Sequence, residues 1–249
     1  ELTDKIDIPT FGRILHKSMQ NLYDEFIPEK NKNHKELISK LRKRDIVETN
    51  VNNAIIEILH KDTKITPDDF TGDTLLVRDI IITYILDGII PYDVNRDGFK
   101  VKALEESISC THVVNPNLSV KLAGDADRID ILPNGMLQVI DYKSSKKPHL
   151  EYNSMANLFH GTPVQRISNI FQTFLYSMIL HKTEHKDVVP SLYYVSQMIN
   201  NKYSKYSPLI VNKPPKDSVE TAGPVECYSS IAEAFEQEFN TILEELFNP

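Results

Sequence analysis

Two β-rich runs joined by a short turn constrain the fold of this chain more than any other feature. The runs cover residues 119–132 and 136–145. The connection between them, residues 133–135, ends in Asn-Gly, which is a strong signal for a β-hairpin. If the loop has three residues, Leu132 pairs with Met136, and this pair sets the register of the hairpin. The sequence therefore predicts an antiparallel pair of strands here.

The predicted register brings charged side chains together. Asp127 is directly opposite Asp141, and Lys143 shares the face of Asp141, because residues two apart on a strand point to the same side. Opposed carboxylates have Cβ atoms roughly 5 Å apart and repel each other. A divalent cation would offset this repulsion, and the backbone carbonyl of Tyr142 adds a further oxygen ligand. We therefore predict a metal site that activates a water for attack on a phosphodiester, with Lys143 orienting or deprotonating that water.

Two alternatives remain open for the hairpin. Asp127, Asp141 and Lys143 would also be compatible with an ordinary ion-pair ladder on the surface of a sheet, which is a common arrangement. A two-residue loop would move Asp141 out of direct opposition to Asp127.

Hydrophobic periodicity predicts the other elements. Helices are expected at residues 10–26, 45–60, 73–90, 164–180 and 230–247. Strands are expected at 101–109 and 191–198, and a loop at 200–224. This order favours one α/β domain over residues 1–249, in which 1–95 is mainly helical and 96–249 holds the catalytic sheet with its flanking helices.

The composition excludes several classes of protein. The longest apolar stretch, around residues 80–90, is too short and too polar to span a bilayer, and no signal peptide is visible. The two cysteines, Cys110 and Cys227, lack the spacing of a disulfide framework or a zinc site, which favours a reducing, cytoplasmic setting. Because the chain starts with Glu1 rather than Met, we expect a fragment of a longer protein.

The net charge of −7 counts against a nucleic-acid partner, because phosphate binding normally uses a basic face. Basic residues nevertheless cluster locally. Lys146 and Lys147 directly follow the hairpin, and we predict that both contact DNA.

The string GDADRIDILPNGMLQVIDYKSS, residues 124–145, resembles the core of the PD-(D/E)XK nuclease superfamily. Within it, the chain is most similar to the RecB/AddB-type nuclease domains of bacterial helicase–nucleases, which show G-x-x-D-R-I-D, a short loop, then D-Y-K-[ST]. The resemblance implies a restriction-endonuclease-like α/β core with a central mixed sheet flanked by helices and a helical N-terminal part. It also implies that Asp127 and Asp141 bind metal and that Lys143 is catalytic. Arg128, Asp130 and Tyr142 fit the same pattern.

Two outer motifs of that family occur in the expected order. Phe-Gly-Arg-Ile-Leu-His, ending at His16, resembles the G-x-x-x-H helix, whose histidine is a further metal ligand. Gln172 and Tyr176 resemble the Q-x-x-x-Y helix, which lines the site near the DNA backbone. Glu105, on the strand before the hairpin, is expected to approach the site and to have a structural rather than a catalytic role.

The resemblance implies a Mg²⁺- or Mn²⁺-dependent exonuclease that acts on single-stranded DNA ends in bacterial recombinational repair, together with a helicase domain or subunit. The C-terminal part offers only Cys227, so no iron–sulfur cluster is expected. The chain has no GxxxxGK[ST] phosphate loop, so unwinding would come from elsewhere. The alternatives are a catalytically silent DNA-binding or scaffolding module and a stand-alone exonuclease of phage or CRISPR-associated type.

Overall fold

The computed structural model describes residues 6–24, 39–60, 64–96, 98–160, 168–199, 208–218 and 221–247. The helices of these ranges are α1 (Ile8–Tyr23), α2 (Arg44–Leu59), α3 (Gly72–Tyr84), α4 (Ile90–Asn95), α5 (Ala156–Phe159), α6 (Ser168–Glu184), α7 (Val195–Met198) and α8 (Ala232–Phe247). The strands are β1 (Lys100–Asn115), β2 (Leu118–Ile131), β3 (Leu137–Lys143), β4 (Glu151–Tyr152), β5 (Val188–Tyr194), β6 (Val211–Asn212) and β7 (Gly223–Pro224).

The chain divides into two compact units, each made of several segments. The first comprises Glu1–Leu104, Tyr142–Lys146 and Tyr194–Lys202. The second comprises Glu105–Asp141, Lys147–Tyr193 and Tyr203–Pro249. The prediction of one domain over residues 1–249 stays a prediction.

Helix α1 of the first unit begins two residues before the predicted start. Asp7 is its N-cap, and the Asp7 carboxylate accepts a hydrogen bond from the Thr10 N–H at 2.8 Å. A proline occupies the first turn, where its missing N–H has no effect on helical hydrogen bonds. The helix buries one face, which includes Ile14, Leu15 and Met19. Residues 25–26 of the predicted helix lie outside the described residues.

A π-helical turn, Ile85–Ile89, joins α3 to α4. The prediction that the helix ends at residue 90 was wrong, because the helical course continues to Asn95. Pro91 cannot donate a hydrogen bond to the preceding turn, and a wider turn at that point accommodates it. Beyond the turn, the fully buried Asp93 accepts a hydrogen bond from the Tyr23 hydroxyl at 2.7 Å and pairs with Arg96 at 2.9 Å.

The main sheet has the strand order β1-β2-β3-β5. Strands β2 and β3 are antiparallel. Strands β1 and β2 are joined by only two residues, a connection that requires antiparallel neighbours, whereas β3 and β5 are joined by a crossover that contains α6, which is typical of parallel ones. Helices α6 and α8 flank the sheet, so the predicted α/β class with a mixed sheet and flanking helices is confirmed.

Aromatic residues form the core of the second unit between its helices. Helices α5, α6 and α8 contribute rings whose centroids lie 5.3–6.0 Å apart, namely Phe159, Phe171, Phe235 and Phe239. On the β1 side, the His112 Nε2–H donates to the Asn240 side-chain oxygen at 2.6 Å. These contacts hold α8 against the sheet.

Other boundaries differ from the sequence prediction in informative ways. The strand predicted at 191–198 ends at Tyr194, and Val195–Met198 is helical. The prediction missed this change because a short apolar run does not distinguish a strand from a helix. The helix predicted at 164–180 covers Ser168–Glu184, and residues 164–167 lie outside the described residues. Within the predicted loop at 200–224, the described residues include β6 and β7, which form a small sheet with β4.

Candidate active site

The β2–β3 hairpin has the predicted register. Arg128 pairs with Ile140, and Ile131 pairs with Leu137. The loop is closed by the Leu132 N–H, which donates to the Met136 carbonyl at 2.9 Å, and Gly135 takes the positive φ of 84° that this turn requires. The three-residue loop is therefore confirmed, and the two-residue alternative is excluded.

Continuing this register by one pair sets Asp127 opposite Asp141. Asp127 is 8% exposed and Asp141 is 2% exposed. Ile129 and Val139, on the same faces of their strands, are fully buried. Two carboxylates at such positions are unfavourable without a compensating charge, because burial penalises ions and like charges repel. The alternative interpretation, an ion-pair ladder on the exposed surface of a sheet, does not match the burial of these two carboxylates.

Glu105 of β1 approaches the hairpin within the second unit. A carboxylate oxygen of Glu105 and one of Asp127 lie within 4.8 Å of each other. Glu105 also has a φ of 48°, a left-handed conformation that a non-glycine residue rarely adopts inside a strand. Such strain persists where the surroundings enforce it and is often associated with function. The sequence analysis expected Glu105 to approach the site in a structural role, and the approach to Asp127 is observed. The left-handed backbone conformation has no signal in the residue type.

The donor set fits a divalent metal ion. Carboxylate oxygens are the hard ligands that Mg²⁺, Mn²⁺ and Ca²⁺ prefer. Asp127 and Glu105 offer two such groups at close range, and Asp141 offers a third on the neighbouring strand.

His16 lies on α1, in the first unit, together with Tyr142. Its Nε2 is 3.1 Å from the Tyr142 carbonyl oxygen, a hydrogen bond that requires the proton on Nε2. The two rings meet edge to face, with centroids 6.2 Å apart. Two groups that the resemblance marks as metal ligands, the histidine ring and the Tyr142 carbonyl, are therefore neighbours.

The residues after Asp141 follow the alternation of β3. Lys143 is half-buried at the end of the strand, two residues after Asp141 and therefore on the same face. Lys146 and Lys147 lie beyond the strand, and both are exposed.

Gln172 and Tyr176 lie one turn apart on α6. The Gln172 Nε2 donates to the Tyr176 hydroxyl at 3.0 Å. Tyr176 is only 8% exposed, and its ring packs against β2 at Gly124. The predicted pair is thus brought together beside the strand that carries Asp127.

Arg128 and Asp130 point to the face of β2 opposite to that of Asp127. The guanidinium donates two hydrogen bonds to the carboxylate, at 2.7 and 2.9 Å, and both side chains are fully buried. The sequence analysis matched both residues to the motif but assigned them no function. Their buried contact indicates that this part of the motif stabilises the strand.

A sequence profile described as the PD-(D/E)XK nuclease superfamily matches residues 1–249. The chain therefore belongs to this superfamily, whose members are typically metal-dependent nucleases. None of the curated proteins compared with the chain matches it. Among the helices of the described ranges, none combines the length and apolarity that a membrane span needs.

Proposed function

We propose that this chain hydrolyses DNA phosphodiester bonds at the carboxylates of the β2–β3 hairpin, with Mg²⁺ or Mn²⁺ as the cofactor. The observation that carries the proposal is the close approach of Glu105 to the nearly buried Asp127, within 4.8 Å. Membership of a superfamily of typically metal-dependent nucleases supports it.

Each side chain has a role in this proposal. Asp127, Asp141 and Glu105 would hold the metal through carboxylate oxygens. The resemblance marks the Tyr142 carbonyl and His16 as groups that would serve as further ligands. A bound divalent cation supplies charge stabilisation and makes a coordinated water more acidic. The Lys143 amino group, on the face of Asp141, would orient the attacking water as a hydrogen-bond donor, or would take up its proton at Nζ when the amine is neutral.

The finer assignment rests on the motif strings of the sequence. By their similarity to RecB/AddB-type domains, we propose exonucleolytic action on single-stranded DNA ends in recombinational repair, in the cytoplasm of a bacterium and together with a helicase domain or subunit. Gln172, Tyr176, Lys146 and Lys147 would contact the strand. The two exposed lysines would bind phosphates, which are the usual targets of lysine in DNA complexes.

The direct test is cleavage of end-labelled single-stranded DNA in Mg²⁺ or Mn²⁺ by the native chain and by Lys143→Ala. We expect metal-dependent cleavage by the native chain and a loss of at least 100-fold in the variant, the scale typical of proton-transfer groups. Lys216→Ala is the matched control, because Lys216 is exposed and lies outside the site. It should cleave like the native chain.

A negative result has a defined meaning. If the native chain does not cleave in either metal and titration calorimetry detects no divalent-ion binding, the nuclease proposal is wrong. The silent DNA-binding or scaffolding module would then be the better account. A comparison of single-stranded ends, duplex ends and closed circles tests the proposed substrate separately.

A further inference from the structure

The segment after β3 is held by two side chains of α7. The Ser196 hydroxyl donates to the Ser145 carbonyl at 3.2 Å, and the Gln197 Nε2 donates to the Lys146 carbonyl at 2.9 Å. All four residues belong to the first unit. Two consecutive carbonyl groups, directly beyond the strand that ends at Lys143, are thus drawn toward the same short helix.

This arrangement dictates where the peptide N–H groups point. In a planar trans peptide, the N–H is directed opposite to the carbonyl of the preceding residue. The N–H of Lys146 is therefore directed away from α7, because the Ser145 carbonyl is directed toward it. A backbone N–H in this position can donate to an anion that approaches from the side away from α7.

The Lys146 side chain adds a positive charge at the same place. Lys146 is exposed and lies three residues after Lys143 in the sequence. Backbone N–H groups combined with a lysine are typical contacts for a DNA phosphate.

We propose that Gln197 and Ser196 are positioning residues that hold residues 144–146 for contact with a phosphodiester group of the bound DNA strand. The inference rests on the proposed nuclease function. Neither side chain touches the reacting atoms. Both act through the peptide groups of Ser145 and Lys146.

The experiment measures kcat and KM for a labelled single-stranded oligonucleotide in the divalent metal that supports cleavage. Gln197→Glu keeps the shape of the side chain but removes the N–H donor, and we expect KM to rise about fivefold while kcat changes by less than about twofold. Ser196→Ala should raise KM about threefold. The matched control is Gln237→Glu, which makes the same change at an exposed position of α8 and should leave both constants unchanged.

A double-mutant comparison separates positioning from general destabilisation. Lys146→Ala alters an exposed side chain, so the protein should fold. We expect a higher KM, and the slope of the logarithm of the DNA-binding constant against the logarithm of the salt concentration should become shallower by about 1, the value for one lost phosphate contact. Because Gln197 acts through the same segment as Lys146, the KM of the double variant Gln197→Ala/Lys146→Ala should be no higher than that of the more severe single variant. A merely structural role would instead lower the thermal midpoint and leave KM unchanged.

The outcomes separate the two proposals. If the native chain cleaves, Lys143→Ala does not, and the Gln197 variants match the native KM, the positioning role is overturned and the nuclease function stands. Additive effects of Gln197→Ala and Lys146→Ala on KM would overturn it as well. If the native chain neither binds nor cleaves DNA, both proposals fail.

Discussion

The ring of Tyr176 lies so close to the backbone of Gly124 that a Cβ atom at residue 124 would collide with the ring carbon Cε1. This contact fixes how closely α6 approaches β2. It also fixes the position of the Tyr176 hydroxyl, which accepts the hydrogen bond from Gln172. Asp127 follows three residues later and, by the alternation of the strand, points to the opposite face of β2, so the contact joins α6 to the strand that carries the carboxylate.

Gly124→Ala should therefore displace the Tyr176 ring. We expect a destabilisation of about 1–3 kcal/mol, the usual cost of overpacking a buried contact, together with reduced cleavage. Urea unfolding and kcat/KM are the measurements. Gly223→Ala is the control, because no atom lies within 4 Å of the place that its new methyl group would occupy and Gly223 has no positive φ.

A second substitution isolates the role of the ring. Gly124→Ala combined with Tyr176→Leu should recover much of the stability, because leucine lacks the distal ring atoms that collide. Cleavage should stay low, because Gln172 then lacks its hydroxyl partner. Full activity of the double variant would contradict a role for Tyr176 at the DNA strand.

Glu105→Gly should separate stability from metal binding. Glycine adopts a φ of 48° without strain, so we expect the free energy of unfolding to stay the same or to rise by roughly 1 kcal/mol. The same change removes a carboxylate next to Asp127, and the affinity for Mn²⁺ should fall at least tenfold by calorimetry. Glu106→Gly, at the exposed neighbour, should lose stability and keep the affinity. Equal metal affinity in the two variants would remove Glu105 from the site.

Asp130→Ala should destabilise the protein strongly. Arg128 is fully buried and would lose a bidentate carboxylate, and breaking a buried ion pair of this kind typically costs about 3 kcal/mol or more. Denaturant unfolding gives the value. Arg44→Ala, which breaks an exposed pair with Glu48, should cost less than about 1 kcal/mol. A loss below 1 kcal/mol for Asp130→Ala would show that the pair does not stabilise β2.

Ser229→Ala should change the pH dependence of stability. Burial alone would raise the pKa of Asp187, but hydrogen bonds from the Ser229 side chain and backbone and from the Val188 N–H lower it below its ordinary value. A carboxyl whose pKa is lower in the folded state stabilises the protein above its unfolded pKa, and this contribution disappears as the pH falls through the folded pKa.

The expected loss in Ser229→Ala is about 1 kcal/mol at pH 7, shrinking below about pH 4. Thermal unfolding over this range gives the measurement. Ser230→Ala serves as the control, because the Ser230 hydroxyl donates to the Cys227 carbonyl, which does not titrate. Identical pH profiles for the two variants would argue against the Asp187 contact.

Local chemistry made the hairpin predictable from sequence. The Asn-Gly turn and the alternation of the strands were sufficient to place Asp127 opposite Asp141, and the observed register agrees. The amphipathic helices were predicted for the same reason, because their signal is repeated over several turns.

Features that depend on tertiary context were not predictable. Val195–Met198 continues the apolar run of a strand, yet it is helical. In this helix Ser196 and Gln197 donate hydrogen bonds to the segment after β3. Glu105 has no sequence signal for its left-handed backbone. The contact of Tyr176 with Gly124 depends on how closely a helix packs on a strand that lies far away in sequence.

The π-helical turn at Ile85–Ile89 has a consequence for comparison with homologues. Such a turn inserts one residue into a helix and shifts every later side chain by about 100° around the axis. Asp93 reaches the Tyr23 hydroxyl in this shifted phase. A homologue with a one-residue deletion at this position would therefore be expected to lack the acid–tyrosine pair as well, so that the gap and the loss of the pair should occur together in an alignment.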